Sequence, residues 1–303
     1  MANIDLVKKF APYTDEMFKA ESKTDLVTCN AFDWTGAHSV AIYKIETVGL
    51  NDYKRNVREN NGQVTCYYSD GSEVVGSDAD AQSISRFGLL TDLSTQLEEM
   101  IVKKDRSFIF NIDKLDEEET EGQVEAGKAL AREIREVIIP EYDTYVYNTM
   151  VNNAGKKENA ALSVDNVYAS ILTGSEVLDD AEVPDTERAL IVTPKTYTLL
   201  KQAAIFDNTD VGAEMRKKGV VGIIDGMAVV KVPAVRLPKD FGFMIAHPSA
   251  TVAPKKLEDY GVHNNTPLSS GTIVTGRFCY DAFVLENKAA GIYYHSTAED
   301  AEE

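Results

Sequence analysis

Hydrophobic and polar positions alternate with a period of two in the first third of the chain, which predicts extended strands. In SVAIYKIETVGL (39–50), Lys44 and Glu46 lie on one face and Tyr43 and Ile45 on the other. The runs VTCYY (64–68) and VVG (74–76) predict two more strands joined by a turn, and LEEMIVKKDRSFIFNI (97–112) predicts another extended segment. Few of these residues suit a core, so we expect residues 40–112 to be an excursion that a neighbour covers.

The period changes to that of a helix between Lys114 and Asn153, where apolar residues recur at spacings of three, four and seven. A helix of this length is about 55–60 Å long. Pro140 lacks the N–H for one helical hydrogen bond and predicts a kink or break near residues 136–139. Gly155 is the expected stop. The pattern therefore predicts a long structural spine.

Beyond this spine, short strands and helices alternate as in an α/β domain. Thr193 is the expected N-cap of a helix that begins at Pro194, and Asp225-Gly226 is a hairpin signal. The other predicted elements are a helix over 165–173 capped by Ser163 or Asp165, and strands over 188–192, 241–248, 271–285 and 291–296.

Residues 1–33 are weakly patterned and contain little that could form a core of their own. Two short helices are expected there, one ended by Pro12 and one over residues 14–21. We interpret the segment as an arm that docks on another surface, with a frayed terminus as the alternative. Trp34, the single tryptophan, is the expected anchor of this arm.

Composition and charge remove several classes of function. The chain has 303 residues and a formal net charge of −18, which does not suit a protein that grips nucleic acid through clustered lysine and arginine. We expect no signal peptide, because the N-terminus lacks an apolar core, and no membrane span, because no run of about 18 apolar residues exists. The three cysteines are far apart and predict a reducing compartment without a disulfide framework.

One cluster raises the question of chemistry: DKLDEEETE (113–121) contains six carboxylates. It lacks the spacing and the glycine of a calcium loop. Acidic residues in the first turn of a helix stabilise it by about 0.3–1 kcal/mol each. We interpret the cluster as the start of the spine helix, with Asp113 or Asp116 as its cap. A metal-dependent hydrolase that uses Asp113, Asp116 and Glu117 remains an alternative.

Recognised catalytic motifs are missing from the chain. It has no nucleophile elbow, phosphate-binding loop or zinc-protease motif. The four histidines are scattered along the chain, and each is expected at the surface or at a strand end. We therefore predict no catalytic, metal or cofactor site and no enzymatic activity.

Six stretches share their order and pattern with one protein family: GLNDYKRN (49–56), DRSFIFNIDKLDEEET (105–120), IIPEYDTYVYN (138–148), ALIVTPKTYTLLKQ (189–202), AVVKVPAVRLP (228–238) and SGTIVTGRFCYDAFVLENKAAGIYYH (270–295). In these stretches the chain resembles the major capsid proteins of tailed bacteriophages, whose fold is shared with encapsulins. The resemblance implies an α+β fold. Its expected parts are an N-terminal arm, an extended β-hairpin called the E-loop, a peripheral (P) domain with a long spine helix, and an axial (A) α/β domain. Residues 64–97 are longer than the short E-loop that this family leads us to expect.

The resemblance implies five divisions of the chain. They are the N-terminal arm (1–33), the E-loop with its flanking strands (34–106), the P domain with the spine helix (107–158), the A domain (159–246), and a return to P-domain strands with an acidic tail (247–303).

The same resemblance implies a structural role. Hexamers and pentamers of the chain would form a closed icosahedral shell in the cytoplasm of a host bacterium, with a scaffolding protein and a portal. The virion capsid would enclose double-stranded DNA without sequence-specific binding, and no membrane or cofactor is expected. The predicted subunit contacts are basic residues of the E-loop, acidic residues at the helix start and the arm tryptophan: Lys54, Arg55, Arg58, Asp116, Glu117, Glu118 and Trp34.

Two other functions within the structural class stay open at this point. An encapsulin-type shell would keep the fold but enclose a cargo enzyme instead of a genome. A tail tube or sheath protein would form open helical polymers rather than closed shells.

Overall fold

The computed structural model describes residues 22–29, 39–50, 57–60, 63–67, 73–77, 84–85, 88–89, 93, 95–115, 126–203, 220–264 and 270–298. The chain divides into two compact units. Residues 39–101 form the unit that we call the insert, and residues 1–38 with 102–303 form the unit that we call the body.

The insert is built of antiparallel strands, in agreement with the alternating pattern. β1 and β7 pair along their whole length, β2-β3-β4 form one sheet, and β5-β6 form a short hairpin. The pairing of β3 with β4 confirms the strand–turn–strand predicted over residues 64–76. The strands are β1 (Ser39–Ile45), β2 (Val57–Asn60), β3 (Gln63–Tyr67), β4 (Glu73–Ser77), β5 (Ile84–Ser85), β6 (Gly88–Leu89) and β7 (Thr95–Ile101).

The body mixes helices and strands. Its elements are β8 (Lys104–Asp113), α1 (Ala126–Glu133), a π-helical turn (Ile134–Ile138), α2 (Ile139–Asn152), β9 (Lys156–Asn159), α3 (Val167–Asp180), β10 (Ala189–Val192), α4 (Pro194–Gln202), β11 (Val220–Ile224), β12 (Met227–Lys231), β13 (Phe241–Ala246), β14 (Thr251–Val252), β15 (Lys255–Asn264), β16 (Gly271–Tyr280), β17 (Phe283–Val284) and β18 (Ile292–Ser296). Short 3-10 helices lie at Thr24–Leu26, Ala234–Arg236, Pro248–Ala250 and Glu286–Gly291.

A six-stranded mixed sheet in the order β11-β12-β10-β13-β18-β9 carries the core of the body. Successive side chains of a strand point to opposite faces. Accordingly, Ile191 of β10 packs with Val146 and Tyr147 of α2, whereas Leu190 packs in a second cluster with α3 and α4. The sheet is thus covered by helices on both faces, which confirms the α/β reading of this region and the mixed α+β class.

A second sheet contains the three long strands β15-β16-β8. β8 pairs with β16 without a register shift, from Lys104 opposite Tyr280 to Asp113 opposite Gly271. The segment DRSFIFNID therefore belongs to a sheet with the C-terminal part of the chain. Phe108 covers Gly276, since a Cβ on that glycine would lie 2.1 Å from the Phe108 ring.

The spine helix is interrupted just before its proline. Residues 114–115 are helical, and α1, the π-helical turn and α2 then run from Ala126 to Asn152. The turn at Ile134–Ile138 overlaps the break that Pro140 predicted. Pro140 has no N–H to donate, so the wider turn before it accommodates the missing hydrogen bond. Gly155 lies beyond the helix end, where a Cβ would lie 2.6 Å from the Ala289 carbonyl oxygen.

Local signals in the second half of the chain are mostly confirmed. Thr193 caps α4, because its side chain accepts the Thr196 N–H at 3.1 Å. Asp225 and Gly226 both have positive φ, 49° and 73°, and connect β11 to β12. The two residues therefore form the hairpin turn that their types predict.

The prediction for α3 is wrong at both ends. The helix begins after Asn166 without a side-chain cap, so neither Ser163 nor Asp165 has the predicted role. It also continues beyond residue 173 to Asp180. Gly174 looks like a stop in the sequence, but its missing side chain lets the helix approach Tyr293, whose ring would lie 2.8 Å from a Cβ at this position.

Of the described histidines, His247 directly follows β13, His295 is the next-to-last residue of β18 and His263 is exposed, as expected for strand ends or the surface, but two of the three are buried. His295 is only 1% exposed and its ring stacks on that of Phe243. His247 is 8% exposed, and its Nδ1 accepts the Ser249 N–H. In the sequence, the apolar and aromatic residues directly before His295 in IYYHS indicate that this strand belongs to the core.

Candidate assembly surfaces

The acidic stretch at residues 113–121 begins as a helix cap. Asp113 Oδ1 accepts the Leu115 N–H at 2.9 Å, as expected for a residue that opens a helix. Within the described parts of the chain, no group of three His, Cys, Asp or Glu residues is placed to hold a metal ion. The geometry that is visible here supports the helix-start interpretation.

The predicted subunit-contact residues fall in parts of the chain for which no side-chain position is described. Arg58 lies in β2, where only the backbone is described. The others lie outside the described residues altogether: Lys54, Arg55, Asp116, Glu117, Glu118 and Trp34. Their roles remain predictions.

Residues 22–29, here called the N-terminal segment, dock on the body. The Lys23 ammonium donates to the Lys231 carbonyl at 2.7 Å, and the Cys29 N–H donates to the Thr251 carbonyl at 2.8 Å. Val27 is completely buried in the cluster that contains Val146. The end of the predicted arm therefore packs against the body of its own chain.

A buried ion pair lies at the centre of the contact between the N-terminal segment and the body. Arg236 Nη1 donates to Asp143 Oδ2 at 2.6 Å, and the two side chains are 6% and 1% exposed. The Ser22 hydroxyl donates to the other carboxylate oxygen at 2.6 Å. Burial raises the pKa of Asp143, while the bonds from Ser22 and Arg236 oppose that rise. The pair links the N-terminal segment, α2 and the 3-10 helix at Ala234–Arg236.

Sequence reasoning did not single out Asp143 or Arg236. The available signal was the place of Asp143 on the helix, between Tyr142 and Val146, where a charged residue interrupts the buried stripe. Buried charges in proteins require a partner. The pattern could therefore have predicted a buried pair, but not the identity of the cation.

A second buried carboxylate joins three parts of the body. Asp281 is 3% exposed. Its Oδ2 accepts the Lys103 N–H at 2.8 Å, and its Oδ1 accepts the Ala282 N–H and the Tyr145 hydroxyl at 2.8 and 2.7 Å. Burial and the bond to Asp281 raise the pKa of Tyr145 to about 12. Asp281 thus fixes the start of β8 to α2 and to the end of β16.

Comparison with known proteins decides the fold. No protein-family profile and no curated protein sequence matches the chain. Solved structures do: one of Mycobacterium phage Che8 (TM-score 0.69, 16% identity, 97% of this chain and 98% of that chain) and the capsid of cyanophage P-SCSP1u (0.68, 14%, 98% and 94%). The mature capsid of bacteriophage PhiM1 is similar as well (0.68, 11%, 98% and 93%). This chain has the tailed-phage capsid fold. The similarity extends over 97% or more of this chain in each of the three structures.

The capsid fold here carries exposed apolar side chains on the insert. On one face of the β1–β7 pair, Tyr43 lies directly opposite Leu97, and these side chains are 74% and 59% exposed. Ile45 on the same face and Leu50 beyond it are also exposed. On the other face, Lys44 and Glu98 form an ion pair at 3.0 Å. Large apolar side chains of the β1–β7 pair are thus exposed side by side, as on a surface for association.

The body of the capsid fold has a groove between β8, the π-helical turn and β16. Its volume is about 130 Å³, and Phe108, Val137 and Phe278 contribute to its apolar lining. At its edge, Arg106 pairs with Glu141 at 2.8 Å. The interruption of the spine helix therefore lies at a concave, partly apolar surface.

None of the helices described for this chain is long and apolar enough to cross a membrane.

Proposed function

We propose that this chain is the major capsid protein of a tailed double-stranded DNA phage, with a structural and non-catalytic role. The observation that supports this most strongly is the likeness of fold to phage capsid structures, which covers 97% of this chain and 98% of the first of them. The likeness extends over nearly the whole length of both chains, so it is not confined to a single domain.

The exposed apolar face of the insert supports the same proposal. A two-stranded ribbon is marginally stable alone in water, and large apolar side chains on it favour burial against another chain. Tyr43, Ile45 and Leu97 supply such side chains on neighbouring positions of β1 and β7. In an assembled shell this face would lie against another subunit.

In this proposal the chain keeps the division set out above. Residues 1–33 are the N-terminal arm, 34–106 the E-loop, 107–158 the P domain, 159–246 the A domain and 247–303 the returning strands with the acidic tail. Hexamers and pentamers would assemble with a scaffolding protein and a portal in the bacterial cytoplasm, and the finished shell would enclose the genome in the virion. The net charge of −18 fits a shell that does not bind packaged DNA tightly, because like charges repel.

Electron microscopy of the purified or scaffold-co-expressed chain tests the proposal. We expect round, closed shells. Open tubes would replace the proposal with a tail tube or sheath protein, and shells that consistently contain one host enzyme would replace it with an encapsulin. Failure to assemble even with its scaffold would contradict it.

We further propose that basic residues of the E-loop contact acidic residues of neighbouring subunits. Local ion pairs of this kind are needed because subunits with the same net charge repel at short range. Changing Arg55 and Arg58 to glutamate is expected to abolish closed shells while leaving the subunit folded, as judged by circular dichroism and the unfolding midpoint.

The matched control reverses two exposed lysines of the body, Lys195 and Lys239. Both double variants take the net charge from −18 to −22, because each reversal removes two charges. Loss of shells in both variants would indicate a general charge effect, and normal shells from the Arg55/Arg58 variant would refute the contact.

A further inference from the structure

His295 in β18 is a buried imidazole with an unsatisfied nitrogen. The residue is 1% exposed, and its Nδ1 has no hydrogen-bond partner. The ring stacks on Phe243 with 4.8 Å between the centroids. A protonated imidazole in this place would lose its hydration without gaining a partner for Nδ1, so the closed structure holds the neutral form.

His295 lies next to the edge of the central sheet. Among the described strands β9 pairs with β18 alone, and His295 lies opposite Glu158 in that pairing. Leu162, which follows β9, approaches the same place: its Cδ1 and His295 Nδ1 each lie 3.1 Å from the position that a Cβ on Gly242 would occupy. We call residues 156–162 the flap.

Among the described residues, three charged side chains lie on the strands next to His295, and one of them is acidic and on β9. Glu158 of the flap is the nearest carboxylate on β9, and its Oε2 accepts the Tyr293 hydroxyl at 2.6 Å. Lys157, also on β9, donates to the Asn152 carbonyl. Asp240, before β13, contacts the end of β18 through its backbone carbonyl.

The helices that pack on this face of the sheet, α3 and α4, present apolar residues such as Ile171 and Leu200. Burial lowers the pKa of His295, and the charge of Glu158 only opposes that effect.

The flap also connects the spine helix to the sheet. Residues 153–155 are all that separate α2 from β9. The Gly155 N–H bonds to the Ala289 and Ile292 carbonyls, and the Ala160 N–H bonds to the Ser296 carbonyl. These bonds and the β9–β18 pairing hold the C-terminal end of α2 against β18.

We propose that residues 156–162 form an acid-sensitive flap, which opens when His295 is protonated and then frees the C-terminal end of the spine helix. An edge strand of four residues is easier to detach than β13, which pairs on both sides. Opening would bring water to Nδ1, so the open form has an ordinary imidazole with a pKa of about 6.5. The open form therefore binds a proton more readily than the closed form, so the free energy of opening decreases as the pH falls below about 6.5.

Hydrogen–deuterium exchange of the full chain at about pH 7 and about pH 5 tests this inference, after correction for intrinsic exchange rates. In the wild type, exchange of a peptide covering residues 156–162 is expected to accelerate roughly tenfold or more at the lower pH relative to a β10 peptide. His295→Phe keeps an aromatic ring on Phe243 and should abolish this acceleration. His263→Phe, which changes an exposed histidine of β15, should retain it.

A second variant keeps the inference testable if His295→Phe does not fold. Glu158→Gln preserves an acceptor for Tyr293 but removes the charge that opposes the lowered pKa of His295. Its acid response should therefore be larger than that of the wild type. Equal exchange changes in the flap and in β10, an acid response that persists in His295→Phe, or a smaller response in Glu158→Gln would each overturn the inference.

Discussion

Removal of the Asp143 carboxylate is expected to destabilise the body strongly. Asp143→Ala removes the carboxylate that pairs with the Arg236 guanidinium, which is only 6% exposed, and takes away the acceptor of Ser22. Removing one partner of a buried ion pair costs about 3–5 kcal/mol. The loss of the Ser22 bond adds about 1 kcal/mol. We therefore expect a decrease in the free energy of unfolding of about 4–6 kcal/mol.

The origin of this loss is tested by a double-mutant cycle with Arg236→Met. Methionine fills part of the same volume without a charge, so Asp143→Ala in the Arg236→Met background should cost much less than in the wild type. A coupling of about 2 kcal/mol or more is expected for groups in direct contact. Urea unfolding of the unassembled chain measures it, with midpoints that shift at a constant slope.

Glu141→Ala is the matched control, because Glu141 lies on the same helix, pairs with the exposed Arg106 and accepts the Tyr280 hydroxyl at 3.1 Å. An exposed pair contributes about 0–1 kcal/mol and a hydrogen bond about 1 kcal/mol, so its cost should be about 1–2 kcal/mol. If Asp143→Ala costs no more than Glu141→Ala, or if the two changes at Asp143 and Arg236 are additive, the reasoning from the buried pair is wrong.

Ser22→Ala should cost about 1 kcal/mol, and no effect there would contradict the docking of the N-terminal segment.

Two further predictions concern local features of the body, and both are measured by the same unfolding experiment. Thr193→Ala should lower the free energy of unfolding by about 1 kcal/mol because it removes the α4 cap. Thr198→Ala on the exposed side of α4 should change it by less than about 0.5 kcal/mol. Equal effects would contradict the capping role. Gly174→Ala should destabilise by about 1–3 kcal/mol, because its Cβ would lie 2.8 Å from the Tyr293 ring. Gly127→Ala, with nothing within 4 Å of the added Cβ, should stabilise α1 by about 0.5–1 kcal/mol, and the same sign for both glycines would refute the packing argument.

The sequence by itself was enough for features that depend on neighbouring residues. Alternation predicted β1 and β8, the helical period predicted α2, and residue types at Thr193 and Asp225-Gly226 predicted a cap and a hairpin. These features are governed by side-chain period and backbone preference over a few residues, so they are visible without a fold. The order of these elements, rather than one motif, also indicated the capsid fold that the structural comparison shows.

Local reasoning failed where a distant part of the chain changes the role of a residue. The helix predicted over residues 165–173 continues to Asp180, because the central sheet approaches Gly174 closely and Leu178 beyond it is fully buried. His295 lies near the end of β18, as expected, but its burial was not predicted: it pairs between β13 and β9, and its ring stacks on Phe243. In both cases a tertiary contact outweighs the preference of the residue type.

The buried hydrogen bonds and ion pairs between distant residues follow only from the tertiary structure. Ser22, Asp143 and Arg236 meet although 121 and 93 residues separate Asp143 from its two partners. Asp281 likewise accepts a hydrogen bond from Lys103, 178 residues away. A single sequence contains the charges and the periodicity of its elements, but the pairing of distant charges follows from how strands and helices stack. Local sequence thus determines the strands and helices, and their packing determines which polar groups are buried together.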